Sequence, residues 1–185
     1  SNLQYQDIQS KFHDPNNEFG EGIAFVKDHY YKLTWNDKKV FKLDQNFKLV
    51  HTFNMPIQMS SGWGLTADAT NLYASDGSDL IFVIDPESFT VTNKFNVYEI
   101  NGGSKFFVRS LNELEYVDGY IFANQFMQNW IYKIEVSTGK VVKKYDMSNL
   151  KKIIDEERAK GNREAWDNWA KTNNVLNGIA YNAKE

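Results

Sequence analysis

Gly22-Ile23-Ala24-Phe25-Val26-Lys27-Asp28-His29-Tyr30-Tyr31-Lys32-Leu33 decides the fold, because the chain repeats it. An apolar run, a short polar turn and a second apolar run read as two strands joined by a hairpin turn. The pattern returns at Gly64-Leu65-Thr66-Ala67-Asp68-Ala69-Thr70-Asn71-Leu72-Tyr73-Ala74 and again at Leu114-Glu115-Tyr116-Val117-Asp118-Gly119-Tyr120-Ile121-Phe122-Ala123. A fourth copy begins at Gly178-Ile179-Ala180-Tyr181. Asp118-Gly119 between apolar runs is a strong hairpin signal.

Two further strands follow each complete copy. Val40-Phe41-Lys42-Leu43-Asp44 leads into Phe47-Lys48-Leu49-Val50-His51-Thr52-Phe53, and Ile81-Phe82-Val83-Ile84-Asp85-Pro86 leads into Phe89-Thr90-Val91. Ile131-Tyr132-Lys133-Ile134-Glu135 leads into Lys140-Val141-Val142. The repeat is therefore four short strands, with a period of 42 residues from Gly22 to Gly64 and 49 from Gly64 to Glu113. Four strands in roughly 40–45 residues is the signature of a β-propeller blade. A loop at Asn101-Gly102-Gly103-Ser104 is expected to lengthen the second interval. The third interval, 65 residues to Gly178, is expected to hold a helical insertion over about 148–172. There Leu150, Ile153 and Ile154 share one face, and Trp166, Trp169 and Ala170 another. Gly161-Asn162 should divide the insertion into two helices, which we read as a cap on the propeller edge.

The expectation is one all-β domain over 1–185, of β-propeller type and incomplete. It has three full blades and flanking strands, with Ile8-Gln9-Ser10-Lys11-Phe12 read as a strand of an earlier blade. Three blades do not close a ring, so a missing segment or a second chain is expected to complete it.

Composition removes several function classes. The chain of 185 residues is 42% hydrophobic and 15% aromatic, which suits one packed domain. Its net charge of -3 gives no basic footprint for nucleic acid. No apolar run reaches the roughly 18 residues of a transmembrane helix, so no membrane span is expected. With no Cys, disulfides, thiol nucleophiles and cysteine metal sites are excluded. His13, His29 and His51 lie in unrelated contexts and read as surface or strand residues rather than metal ligands.

The repeat places the candidate site. In a propeller the innermost strands line a central channel, and the residues just before them ring its mouth. Glu21, Trp63, Asn112 and Asn177 occupy that position in the four copies. At the end of the next strand, Trp35 aligns with Gly77 and Phe126. Aromatics at Phe19, Trp35, Trp63 and Phe126 would then box one carboxylate and one or two carboxamides. For any one of these aromatics, core packing is the commoner role. Glu21, flanked by Gly20 and Gly22, is a costly choice for a crowded mouth and so points to chemistry. Glu113 and Glu115 share a strand face, which leaves a paired-carboxylate acid–base site open, with hydrogen-bonded structural roles the favoured reading. Asp76-Gly77-Ser78-Asp79 reads as a loop-tip turn with too few ligands in register for calcium.

The motifs Phe19-Gly20-Glu21-Gly22, Leu33-Thr34-Trp35, Gly62-Trp63-Gly64-Leu65, Tyr73-Ala74-Ser75-Asp76-Gly77, Ile84-Asp85-Pro86, Leu111-Asn112-Glu113-Leu114-Glu115-Tyr116, Ala123-Asn124 and Leu176-Asn177-Gly178-Ile179-Ala180 occur in this order. Together they resemble the plant and bacterial type of glutaminyl cyclase, or glutamine cyclotransferase, from about Glu18 to Tyr181. The resemblance implies a five-bladed propeller that cyclises N-terminal glutamine of peptides to pyroglutamate with release of ammonia, without a metal or other cofactor. It implies Glu21 as the acid–base residue and Asn112 as a substrate ligand, with Phe19, Trp35 and Trp63 as pocket walls. Phe126 stands where the family usually has Trp. The family's Phe-Thr-Gln-Gly-Leu segment and its closing blade, with a Lys near the pocket, have no counterpart in this sequence. A weakly active or inactive propeller acting as scaffold or subunit is therefore the alternative. Compartment is open on the residues; the resemblance favours a secreted, periplasmic or endomembrane-lumen protein.

Overall fold

The computed structural model describes residue 16, residues 18–160 and residues 175–183. The expected early strand over Ile8–Phe12 and the expected second helix after Gly161-Asn162 lie outside the described residues. Three antiparallel four-stranded meanders form, each in simple sequence order. The first blade is β1 (Gly20–Val26), β2 (His29–Thr34), β3 (Lys39–Leu43) and β4 (Leu49–Asn54). The second is β5 (Leu65–Ala67), β6 (Leu72–Ser75), β7 (Leu80–Asp85) and β8 (Thr90–Asn96). A hairpin of β9 (Tyr98–Asn101) and β10 (Ser104–Phe107) precedes the third blade, β11 (Leu111–Val117), β12 (Tyr120–Gln125), β13 (Trp130–Glu135) and β14 (Val141–Asp146). The helix α1 (Ser148–Ala159) follows.

Local chemistry sets the hairpins. β1 and β2 pair through Val26↔His29, and β11 and β12 through Val117↔Tyr120, which leaves two-residue turns. Both turns have positive φ at each central residue: 47° and 63° at Lys27 and Asp28, 48° and 84° at Asp118 and Gly119. That is the primed turn whose twist matches a right-twisted ribbon.

The core lies between blades. Tyr31, Leu33 and Val40 of the first blade pack on Leu72, Phe82 and Ile84 of the second. Tyr73 and Ile81 of the second blade pack on Leu114, Ile121 and Ile134 of the third. Neighbouring residues of β6 thus enter opposite interfaces, because side chains alternate along a strand, and all four of its residues are buried. The outermost strands β4, β8 and β14 are largely exposed. The fourth copy also takes its place. Thr66 Oγ1 of β5 accepts from Tyr116 N of β11 at 2.9 Å, and Glu115 Oε1 accepts from Tyr181 N at 2.9 Å. Since Thr66 and Glu115 are equivalent in the repeat, residues 175–183 lie where the inner strand of a fourth blade begins.

Three expectations need correction. The insertion at Asn101–Ser104 is the tip of a two-stranded hairpin rather than a loop, with Gly102 and Gly103 at φ 55° and 81° closing it. It leans on the third blade, where Tyr98 N donates to Gly139 O at 3.1 Å. The turn at Asp76–Asp79 is not an exposed tip. Asp76 is buried and its carboxylate accepts from Ser60 N, Ser60 Oγ, Ser78 N and Ser78 Oγ at 2.6–3.1 Å. Such a carboxylate is fully used as a clamp between the Ser60 loop and β6. In α1, Leu150 and Ile153 are exposed rather than buried together.

Candidate active site

The channel mouth is built by one backbone irregularity used repeatedly. The β1–β2 register shifts between Gly20 and Ile23, and the β11–β12 register shifts between Leu111 and Leu114. Glu21 and Asn112 fall in these two bulges. A bulge frees a residue from the ladder and re-aims its side chain, which is why such positions recur beside sites. In the second blade Trp63 holds the same place, with Trp63 N donating to Ser75 O just before β5 begins. Hydrogen bonds to backbone carbonyls tie the positions together across blades. Gly22 N donates to Trp63 O at 2.7 Å, and Ser75 Oγ donates to Asn112 O at 2.7 Å.

The second expected equivalence is also met. Trp35 N donates to Phe19 O, and Phe126 N donates to Ser110 O. Trp35 O accepts from Gly62 N, as Gly77 O accepts from Ser110 N. The missing side chain at Gly77 has a consequence. Its φ is 82°, and a Cβ there would lie 2.7 Å from Cζ2 of Trp63. Glycine therefore lets the Trp63 ring lie against the backbone of the second blade.

Phe19, Glu21, Trp35, Trp63, Asn112 and Phe126 together line one cavity of about 210 Å³. All six residues singled out from the sequence meet there. The rings form a wall in two edge-on pairs, Phe19–Trp35 at 5.9 Å and Trp63–Phe126 at 5.6 Å between centroids. Phe19, Trp35 and Phe126 remain 62%, 44% and 40% exposed, so they are pocket surface and not blade core. Phe19 is held from behind, its N–H donating to Asp37 at 3.3 Å. The neighbouring Glu18 carboxylate accepts from Lys39 Nζ at 2.7 Å.

Glu21 is half-buried among these rings, and burial raises its carboxyl above the ordinary range. Among the described residues no Lys or Arg lines this cavity to oppose the effect. Asn112 is 6% exposed, and among the described residues its side-chain amide has no hydrogen-bond partner. That carboxamide faces the cavity and is open to a hydrogen bond there. The Trp63 indole N–H is likewise buried without a partner among the described residues.

A second cavity below the first runs along the inner strands, lined among others by Phe25, Thr66, Glu113 and Glu115. Glu113 is pushed up to about 7 by burial, opposed by a bond from Leu114 N–H and aided by the charges of Glu115 and Glu21. Sequence reasoning treated it as structural, since nothing in its neighbours in sequence reports that burial. Asn177 was placed on the rim but left out of the ligand set; it lines a further, overlapping cavity that also includes Glu21 and Asn112. No cluster of three or more potential metal ligands occurs among the described residues.

A family model described as glutamine cyclotransferase matches residues 1–185. The glutaminyl-peptide cyclotransferase of Arabidopsis thaliana is 30% identical over 169 residues, covering 91% of this chain and 48% of that protein. The crystal structure of Myxococcus xanthus glutaminyl cyclase superposes with a TM-score of 0.67 at 28% identity, over 76% of this chain and 58% of that one. A Staphylococcus aureus virginiamycin B lyase superposes at a TM-score of 0.51 and 11% identity, over 74% of this chain and 44% of that one, which reflects the propeller fold alone. The chain spans about half the length of the curated relative it matches.

Proposed function

Because the chain belongs to the glutamine cyclotransferase family, we propose that its pocket converts N-terminal glutamine of peptides to pyroglutamate, releasing ammonia. The observation that carries this is Glu21, a half-buried carboxyl inside an aromatic cavity that also holds the unpartnered Asn112.

The chemistry follows from those groups. The α-amine of a peptide has a pKa of about 7.7–8.0, so part of it is the free base at neutral pH. It attacks the γ-carbonyl carbon of its own side chain and closes a five-membered ring. Holding the side chain bent against the rings brings the two ends together, which is worth far more than any increase in nucleophilicity. Glu21 takes the proton that the nitrogen loses on attack. It gives that proton to the carboxamide nitrogen, the C–N bond breaks, and ammonia leaves. A carboxyl raised above its usual range suits both halves of the transfer. Asn112 donates to the γ-oxygen as negative charge develops there. The aromatic walls keep water from the reacting carbonyl. Pocket walls outside these three blades come, in this reading, from a further segment or a second chain that closes the ring.

The test is ammonia release from a Gln-initiated dipeptide by the full-length gene product. Glu21→Gln is expected to lower turnover by about 10²–10⁴-fold, the usual worth of a general acid–base group, with an unchanged melting temperature. No release by the wild type, or equal release by the variant, overturns the mechanism. An intact, ring-closed protein without turnover supports the scaffold reading instead.

A further inference from the structure

Two overlapping cavities border the aromatic wall, and they differ in one polar residue. One is lined by Phe19, Glu21, Trp35, Trp63, Asn112 and Phe126. The other shares five of these, loses Trp63 and gains Gly20, Val175 and Asn177. Asn177 therefore borders the same space as Glu21 and Asn112, in the cavity that Trp63 does not line. Its amide is already oriented: Oδ1 accepts from Gly178 N at 3.0 Å. With the oxygen engaged, the NH₂ group is what Asn177 has left to offer, and it has no partner among the described residues. A ligand group that meets it must be an acceptor.

Resting on the cyclotransferase reading, we propose that Asn177 is a specificity residue whose Nδ2 donates to the carbonyl oxygen of the N-terminal glutamine, outside the reacting ring. The three polar groups of the substrate then each have a partner. The α-amine meets Glu21, the γ-carboxamide meets Asn112 beside Trp63, and the backbone carbonyl, the one polar group left, meets Asn177. This arrangement selects the start of a peptide chain over an amine–carboxamide that lacks the carbonyl.

The experiment compares two substrates with the full-length gene product. One is a Gln-initiated dipeptide. The other is 4-aminopentanamide, which has a methyl group in place of the carbonyl and closes to 5-methylpyrrolidin-2-one with the same loss of ammonia. Asn177→Ala and Asn177→Asp are both measured. Asp keeps an oxygen to accept from Gly178 N but removes the donor. Both variants are expected to lose about tenfold in kcat/KM on the dipeptide, mainly through KM, in line with one neutral hydrogen bond. Both should act on 4-aminopentanamide within about twofold of wild type. Normal dipeptide kinetics for Asn177→Asp, or equal losses on both substrates, overturns the proposal and makes Asn177 a structural cap. A wild-type protein that releases no ammonia from either substrate overturns the cyclotransferase reading itself, and this inference falls with it.

Discussion

Three seams of the same ring treat one repeat position in two opposite ways. Where the first blade meets the second, and the second meets the third, that position is Gly22 and Gly64. A Cβ on Gly64 would lie 2.0 Å from Asn112 O, and one on Gly22 would lie 2.4 Å from Leu65 N. Where the third blade meets residues 175–183, the position holds Glu113. The facing Gly178 has nothing within 4 Å of its own Cβ position. The crowded seams thus bring backbone to backbone and fix the bulges that carry Glu21 and Asn112. The roomier seam admits a carboxyl that feels the charge of Glu21. One register position serves packing in two blades and electrostatics in the third.

The sharpest way to break this comparison is Gly64→Ala. The added methyl must push β5 from β11 by displacing backbone, which is costlier than moving a side chain. We expect a loss of about 3 kcal/mol in stability, read by chemical denaturation, together with a pocket distorted at Asn112. A variant of wild-type stability would show that the seam is slack.

Glu113→Gln tests the roomier seam and has a defined pH dependence. The folded carboxyl holds its proton up to about 7, whereas an ordinary one loses it near 4.5. The folded state therefore binds more protons between those values, and wild-type stability falls as pH rises through that window. The glutamine variant lacks this loss. It should be more stable than wild type by about 1–2 kcal/mol at pH 8, after allowing for solvent screening, and gain nothing below pH 4. Denaturation curves at pH 4, 6 and 8 check it; a gain that does not vary with pH would assign Glu113 a packing role. The smallest effect is expected at the rim. Phe126→Trp restores the ring usual at that position and keeps the edge-on contact with Trp63, so kcat/KM should change by no more than about threefold.

Much of the site was legible in the sequence for a physical reason. A propeller repeats its register, so residues at one repeat position must meet at the axis. That argument brought Glu21, Trp63 and Asn112 together, and aligned Trp35 with Gly77 and Phe126, before any contact was known. It failed where a residue's role depends on neighbours that the repeat does not predict. Asp76 looked like a turn residue, because its clamp on Ser60 joins segments sixteen residues apart. Asn101–Ser104 looked like a loop, because two adjacent glycines do not reveal that the flanking four-residue runs pair. The exposure of Leu150 and Ile153 in α1 runs against their helical spacing, which reports a shared face but not what covers it.

By itself the sequence determined the four-stranded repeat, the hairpin turns and the set of side chains at the channel mouth. These follow from period-2 hydrophobicity and turn chemistry, which are local. Only the tertiary structure decided the protonation environment of Glu21 and Glu113, the seat of Trp63 on Gly77, and the place of Asn177 beside Glu21 and Asn112. Burial, charge coupling and close backbone approach depend on distances between residues tens of positions apart, and those distances exist only once the blades have packed.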